Sequence, residues 1–305
     1  MGSQAKFFLE FWDEDMLSTS LTKFNGAMSM RKLTAIISAG LLFLATTAEA
    51  EFRQPIFDTE IAGGYRHDNF HWTIQRQGNR DRKLFKMTFH EMQIYGGSAR
   101  VSYATCNNYY MRVSGDWGYI YQGNARASRY RGTGSSSSSS SSGSGSSDDF
   151  QISKITGKAN NGHVMDLSGG IGYQFTSNGS RCILTPMVGW AYHEQHFHIR
   201  KATQRVNFGD PFNIVGPLGN LHAGYKPRWY GPWAGMDFLL SVDVPCLIVF
   251  GSFEYEWPQY RAKGNWNFDD FFVDRYKHKA HGRGYTATLG FNYRLGCGWY
   301  VGVVG

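Results

Sequence analysis

The chain has 305 residues, a formal net charge of +7, 16% aromatic residues, 37 glycines and 8 prolines. It is hydrophilic on average, which disfavours a helical membrane protein but is compatible with a β-barrel that is polar inside. Its lysines and arginines are scattered and no binding motif accompanies them, so nucleic acid is not expected as a partner.

The longest apolar run lies near the start of the chain and follows Met30. Arg31 and Lys32 precede it, residues 33–46 form it, and an Ala-Glu-Ala sequence ends it at Ala50. This order is typical of a secretory signal peptide, and the run is too short for a transmembrane helix. We therefore predict an upstream extension at 1–29, a signal peptide at 30–50 and an exported chain at 51–305.

The exported chain repeats one pattern, in which apolar and polar residues alternate. From Leu247 to Trp257, residues such as Phe253 and Tyr255 form an apolar face, and Glu254 lies on the opposite, polar face. This alternation predicts a strand with lipid on one side and a wet interior on the other. It predicts further strands at residues 57–66, 92–103, 111–121, 165–175, 184–200, 234–242 and 285–295. The polar spans at 75–83 and 202–220 are expected to be surface loops.

Short and long connections alternate between these strands. Short turns are predicted near Asn107, Asn178, Pro245 and Gly296, whereas the connections between them are longer and one contains the Ser/Gly-rich loop at 132–147. Outer-membrane barrels have short periplasmic turns and long extracellular loops, and a sheet in lipid must close. The predicted fold is therefore an all-β, antiparallel transmembrane β-barrel of about nine or ten strands in a Gram-negative outer membrane.

The four cysteines all fall at or beside the predicted short turns, at Cys106, Cys182, Cys246 and Cys297. They are therefore expected at the periplasmic end, where disulfides are permitted. Bridges within the barrel, bridges to other envelope proteins and unpaired thiols all stay open. The spacing matches no zinc or haem motif, so neither a metal site nor a cofactor is expected here.

Charged residues of both signs fall on the polar faces of the predicted strands. They are Asp58, Glu60, Arg100, Arg112, Asp166, Asp237, Glu254, Glu256 and Arg294. We expect them to pair across a filled lumen, because a barrel of about ten strands is too narrow for a wide aqueous pore.

Two further clusters invite a binding interpretation. His196 and His198 share a predicted face with Glu194, whereas His193 points away, so a solvated strand end is favoured over a metal site. The tryptophans and Tyr192 are interpreted as an aromatic girdle at the membrane interface; they are Trp190, Trp229, Trp233 and Trp257.

Three segments resemble the omptin family of ten-stranded outer-membrane barrels, most of whose known members are proteases. Gly224-Tyr-Lys-Pro-Arg228 is similar to the omptin segment of GYKQR type. The segments at 233–238 and 250–255, which follow it, are also similar to omptin segments. The order of strands and turns from Ala159 to Tyr192 also resembles that of omptins. The resemblance implies a tenth strand, whereas this sequence stops inside the predicted ninth, so the C-terminal strand is interpreted as missing.

The resemblance implies catalysis by an Asp-Asp pair and an Asp-His pair that activate water. In this chain the Asp-x-His positions fall at Asn265-Trp266-Asn267, which offers neither a base nor a carboxylate. The remaining alternatives are Asp148 and Asp149, near the position of the other pair, and three residues of a neighbouring loop. These three are Asp269, Asp270 and His278.

The first functional hypothesis is a barrel with a structural or surface-interaction role and without protease activity. Its expected partners are outer-membrane lipid, lipopolysaccharide and, through its cysteines, other envelope proteins. The alternatives are an omptin-type aspartyl endopeptidase and a narrow outer-membrane channel.

Overall fold

The computed structural model describes residues 55–76, 79–131, 150–177, 181–208, 215–219, 223–242, 244, 246–265, 275–296 and 299–305. The predicted extension at 1–29, signal peptide at 30–50 and Ser/Gly-rich loop at 132–147 lie outside these residues. Among the described residues, no helix is long and apolar enough to cross a bilayer.

The described residues form one antiparallel sheet. Its strands are β1 (Ile56–Arg76), β2 (Asn79–Ala104), β3 (Tyr109–Arg131), β4 (Phe150–Ala159), β5 (Gly162–Tyr173), β6 (Phe175–Thr176), β7 (Cys182–Asn207), β8 (Gly216–Pro217), β9 (Ala223–Ser241), β10 (Leu247–Glu256), β11 (Gln259–Asn265), β12 (Arg275–His281), β13 (Gly284–Gly296) and β14 (Trp299–Val304).

Several of these strands are two halves of one longer strand. β4 and β5 both pair with β3 and β7, and the break between them contains Asn161 with a φ of 58°. β10 and β11 both pair with β9, with Pro258 in the break because proline cannot donate to the ladder. In the described part of the chain, the sheet therefore has nine strand positions in sequence order, which agrees with the predicted nine or ten.

The connections follow the predicted alternation of short and long only in part, because the β1–β2 connection, at the end with the longer connections, spans only residues 77–78. The lower end of the sheet carries the β2–β3 turn, the β6–β7 turn, the β9–β10 turn and the β13–β14 turn. The β3–β4 and β7–β9 connections, at the opposite end, are longer. The short turns identify the lower end as periplasmic.

The lower part of the sheet has an apolar outer face. Phe57 and Ile61 on β1 are 69% and 83% exposed, and Val113, Ile171 and Leu289 are also more than half exposed on other strands. Exposed apolar side chains on every second residue are stable in lipid and not in water. Aromatic residues border this band at its upper edge. They include Tyr65, Tyr95, Tyr119, Trp190 and Trp257.

Above this border the outer face becomes polar and the inner face becomes apolar. On β1 the outward residues Asn69 and His71 are polar and exposed, whereas the inward Phe70 and Trp72 are buried. Since water surrounds the barrel outside the membrane, apolar side chains here are stabilised by packing inside the barrel. The upper barrel therefore has the core of a soluble β-protein.

This exchange explains three predictions that were wrong. Residues 75, 76 and 79–83 are not a loop, because β1 and β2 still pair there, with Gln75 opposite Lys83. Residues 202–207 belong to β7 and not to the loop predicted at 202–220. Trp229 and Trp233 are buried on the inner face, at 6% and 2% exposure, and are not girdle residues. Above the membrane the outward face of a strand is polar. A search for lipid-facing apolar residues therefore assigns such a segment to a loop.

Candidate functional site

Arg112 on β3 organises the lower lumen. Its Nη1 donates to both carboxylate oxygens of Asp237 on β9 at 2.7 Å, and its Nη2 donates to Glu254 on β10. The guanidinium also lies 5.3 Å from the ring centroid of Trp233. The Arg112 side chain is 2% exposed, so this one buried cation balances the negative charges of both Asp237 and Glu254.

A second charged cluster lies above the first. Arg66 on β1 contacts Asp68 at 2.7 Å and Asp166 on β5 at 2.6 Å. His193 on β7 lies between two carboxylates, with Nδ1 2.9 Å from Asp166 and Nε2 3.3 Å from Glu256. A histidine held by carboxylates is the arrangement that acid–base catalysis uses, and the side chains of His193 and Asp166 are partly buried here.

The other predicted lumen charges lie nearer the periplasmic rim. Glu60 and Arg100 approach to 3.9 Å across the β1–β2 pair. Asp58 and Arg294 are exposed, and both fall on the inner face by alternation along their strands. Among the described residues, the lumen charges therefore form two ion-pair networks at different heights, and a third group is solvated at the periplasmic rim.

Trp233 lies beside Arg112 and packs against the backbone of two glycines. A Cβ added at Gly170 or Gly189 would come within 2.6 Å of its ring. Met187, Ala191 and Trp233 form a small buried cluster at this level, with Tyr110 packed against it. Glycine at these two positions allows the indole ring to fill the lumen.

We expect Gly189→Ala to destabilise the barrel by about 1–3 kcal/mol, because the added methyl group must displace the Trp233 ring or the backbone. The measurement is the urea midpoint of unfolding in detergent. Gly64→Ala is the matched control, since its Cβ would meet nothing within 4 Å. Equal midpoints for the two variants would contradict this assignment of Gly189.

Aromatic rings from five strand positions fill the upper lumen. Phe89 on β2 and Phe197 on β7 stack with ring centroids 4.3 Å apart, and Phe70 on β1 lies 6.1 Å from both of them and from Tyr225 on β9. Trp229 meets Phe70 edge to face at 5.5 Å. These five residues, with Trp72 and Tyr260, are called the aromatic plug here.

The aromatic plug is dry and continuous. Phe89 and Tyr225 have no exposed surface, and the plug belongs to one buried cluster that includes Met87, Met92 and Ile120. Tyr225 and Tyr260 satisfy each other through their hydroxyl groups. Burial raises the pKa of Tyr260 well above its ordinary value, so this hydroxyl stays neutral. Rings from β1, β2, β7, β9 and β11 therefore meet in the upper lumen.

The outer face above the girdle carries two rows of directly opposed cations, called the basic wall here. One row is Lys226 on β9, Lys263 on β11 and Lys277 on β12. The other row is Arg228, Arg261 and Lys279 on the same strands. Like charges directly opposite each other destabilise a sheet, so this face concentrates positive charge at a cost in stability.

One carboxylate lies within the basic wall. Glu194 accepts hydrogen bonds from Lys226 at 2.6 Å, Arg228 at 2.7 Å and the Tyr192 hydroxyl at 2.7 Å. Burial alone would raise the pKa of Glu194, but the hydrogen bonds from Lys226 and Tyr192 outweigh it and lower that pKa. Glu194 therefore engages two of the six cations, and four remain exposed at the surface: Arg261, Lys263, Lys277 and Lys279.

The outward histidines lie beside the basic wall. The ring centroids of His163 and His196 are 5.1 Å apart, and those of His196 and His198 are 4.4 Å apart. Burial, together with His198 and His163, lowers the pKa of His196 to about 4, so it is neutral near pH 7. The positive charge of this face therefore comes from lysine and arginine. No group of His, Cys, Asp or Glu in the described part of the chain is arranged to hold a metal ion.

Cys106, Cys182 and Cys246 are free thiols at the periplasmic end. Of the options left open by the sequence, a bridge among these three residues is not present in the structure. Cys297 lies outside the described residues.

Most of the catalytic alternatives are not among the described residues. Asp148, Asp149, Asp269 and Asp270 all lie outside them. His278 belongs to β12, where it pairs with Ala262 of β11. The described members of the charged cluster around His193 are Arg66, Asp68, Asp166 and Glu256, and the family pattern suggested none of these as catalytic.

Sequence reasoning missed the aromatic plug and the basic wall. The signal was present on β1, where the apolar residues change from the odd positions 57–65 to the even positions 70 and 72. A reversal of this kind marks the level at which a strand leaves the membrane.

Three comparisons bear on these observations. A family model described as Protochlamydia outer membrane protein matches residues 60–304. The crystal structure of the outer membrane protease OmpT from Escherichia coli matches with a TM-score of 0.61 and 14% identity, over 85% of this chain and 84% of that chain. No curated protein matches the sequence. The structural match confirms the omptin-like fold expected from the sequence, and at this identity it shows the fold alone.

Proposed function

The chain belongs to the Protochlamydia outer membrane protein family, and on that premise we propose that this outer-membrane β-barrel has a structural or surface-interaction role and lacks protease activity. One observation carries the proposal: the aromatic plug fills the lumen at the level where a peptide from outside would have to enter. Phe89 and Phe197 meet across this space at 4.3 Å. A general base needs hydrogen-bond reach to its substrate, and the plug keeps an external peptide away from His193.

A peptidase assay tests this proposal. Refolded protein with lipopolysaccharide is incubated with dibasic peptides, and cleavage is followed by mass spectrometry. We expect no cleavage above that of a heat-unfolded sample. Cleavage that disappears in an Asp148→Asn, Asp149→Asn variant would instead support the omptin-type endopeptidase.

The proposed partner of the outer face is the anionic headgroup layer of lipopolysaccharide. The basic wall starts directly above the girdle, where Arg261 lies 5.4 Å from the ring of Tyr230. Lysine and arginine near a charged lipid surface each contribute about 1 kcal/mol of attraction. Phosphate groups at this height would also relieve the repulsion within each row of cations.

We expect neutralisation of the four exposed cations of the basic wall to weaken lipopolysaccharide binding at least about tenfold at 0.1 M salt. The variant combines Arg261→Gln, Lys263→Gln, Lys277→Gln and Lys279→Gln, and binding to detergent-solubilised protein is measured by calorimetry. The control removes four cations from the outer face of β2, β3 and β4. These are Lys86, Arg126, Lys154 and Lys158. Equal losses in both variants would indicate a general charge effect and contradict a specific surface.

A narrow channel is the second candidate function. The observation in its favour is the charged lower lumen, where Arg66, Arg112, Asp166 and Glu254 would attract ions of both signs. Conduction would require the aromatic plug to move. Planar-bilayer recording separates the two functions, since steady open steps from the unaltered protein favour the channel and silence favours the filled barrel.

A further inference from the structure

The apolar outer face of the barrel contains a groove of about 1040 Å³. It lies between two neighbouring rows of outward side chains, since the strand register places one row from Phe57 on β1 to Ala234 on β9 and the next row from Val101 on β2 to Pro232 on β9. From β1 to β9 the groove spans five strand spacings, or about 24 Å. Because the strands of such barrels tilt by about 35–45°, the groove rises obliquely across the lipid band.

Small residues form the floor of this groove, which is called the lipid groove here. Gly169 on β5 has no side chain, and Ala234 and Pro232 on β9 have short ones. Ile171 and Trp190 stand at its sides and are 64% and 54% exposed. By alternation along the described strands, the side chains that face the groove are apolar or aromatic. At this depth of the membrane the groove is therefore filled by hydrocarbon and not by water.

The upper end of the lipid groove lies directly below the basic wall. Trp257 lines that end, and its backbone N–H donates to the carbonyl oxygen of Pro232 at 3.0 Å. Arg261 of the basic wall follows Trp257 by four residues. On β7, Glu194 lies four residues beyond Trp190, a distance of about 13 Å along the strand. A lipid whose acyl chain lies in the groove therefore brings its headgroup to the height of these cations.

We propose that the lipid groove binds an acyl chain of lipopolysaccharide. Lipid tails are as apolar as leucine, so burial in the groove gives no hydrophobic gain over the surrounding bilayer. The preference for one chain comes from van der Waals contacts in a fixed hollow, and the cations above the groove favour a lipid with an anionic headgroup. The choice of lipopolysaccharide as this lipid rests on the proposed function.

Gly169→Phe fills the lipid groove with little strain on the barrel. A Cβ added at Gly169 would meet its nearest atoms, the carbonyl oxygen of Arg112 and Cγ2 of Val113, at 3.8 and 3.9 Å, which is ordinary contact. The matched control is Gly63→Phe, which adds the same ring to the outer face of β1 away from the groove. There the nearest atom is the carbonyl oxygen of Gly96 at 4.0 Å.

The experiment compares lipopolysaccharide with lipopolysaccharide whose acyl chains have been removed by alkaline hydrolysis. Binding to the refolded full chain in detergent is measured by native mass spectrometry. We expect Gly169→Phe to weaken binding of the acylated form at least about fivefold, because the ring replaces the contacts of several methylene groups. Ala234→Phe, which fills the groove from β9, should do the same, and Gly63→Phe should match the unaltered protein. Binding of the deacylated form should be the same in all four proteins, and the heat-dependent gel shift verifies that each barrel is folded.

Unchanged binding of the acylated form in both groove variants, or an equal loss in Gly63→Phe, overturns the inference. Dipalmitoylphosphatidylethanolamine that binds as tightly as lipopolysaccharide, with the same sensitivity to Gly169→Phe, assigns the groove to a phospholipid and overturns it as well. The proposed function fails separately, through the variant that neutralises four cations of the basic wall. If that variant binds both forms normally while Gly169→Phe still loses the acylated form, the groove stands and the basic wall does not.

Discussion

Replacement of both Phe89 and Phe197 by alanine is expected to turn a silent barrel into one that conducts ions in steady steps. The two rings form the tightest stack of the aromatic plug, at 4.3 Å, and they come from β2 and β7, between which β3 and β4 lie in the sheet. Their loss leaves a cavity at the centre of the upper barrel, with the charged lower lumen beneath it. The measurement is planar-bilayer conductance of the refolded variant beside that of the unaltered protein.

Two controls make this result interpretable. Each Phe→Ala change in a core costs about 3–5 kcal/mol, so the heat-dependent gel shift must show that the barrel within the lipid band is still folded. Phe253→Ala, Phe291→Ala removes two aromatic rings from the outer face, where they are 50% and 52% exposed, and should leave the barrel silent. Equal conductance of the unaltered protein and the plug variant would show that the plug is not the barrier.

Arg112→Met is expected to destabilise the barrel by about 3–5 kcal/mol, because it removes the cation and leaves the half-buried Asp237 and the buried Glu254 without it. Methionine has a similar length, so loss of volume contributes little. The measurement is urea unfolding in detergent, with the midpoint and the slope fitted together.

The variants that follow separate charge from packing. Arg112→Met combined with Asp237→Asn and Glu254→Gln removes all three charges and should recover most of the lost stability. Arg112→Lys keeps the charge but cannot reproduce the planar contacts with Asp237 and Trp233, so an intermediate loss is expected. A triple variant as unstable as Arg112→Met would show that Arg112 acts by packing and not by pairing.

The membrane-spanning part of this protein could be predicted from its sequence. Alternation at Phe57, Ile61, Phe253 and Leu289 is a local property of each strand, since successive side chains point to opposite faces. The spacing of the turns is equally local, so the periplasmic position of Cys106, Cys182 and Cys246 followed from counting residues. The positions of Trp229 and Trp233 were predicted wrongly, because an aromatic residue on a strand is equally compatible with the girdle at the membrane interface and with a buried core.

What the sequence by itself determined is therefore the all-β class, the lipid-facing rows, the order of turns and the end at which the described thiols lie, all of which depend on neighbours along the chain. Only the tertiary structure decided that Phe70, Phe89, Phe197 and Tyr225 close the upper lumen and that the cations of β9, β11 and β12 form one wall. These contacts join strands far apart in sequence, and they depend on how the sheet curves and in which register its strands pair. Neither the curvature of the sheet nor the register of its strands can be read from the pattern of a single strand.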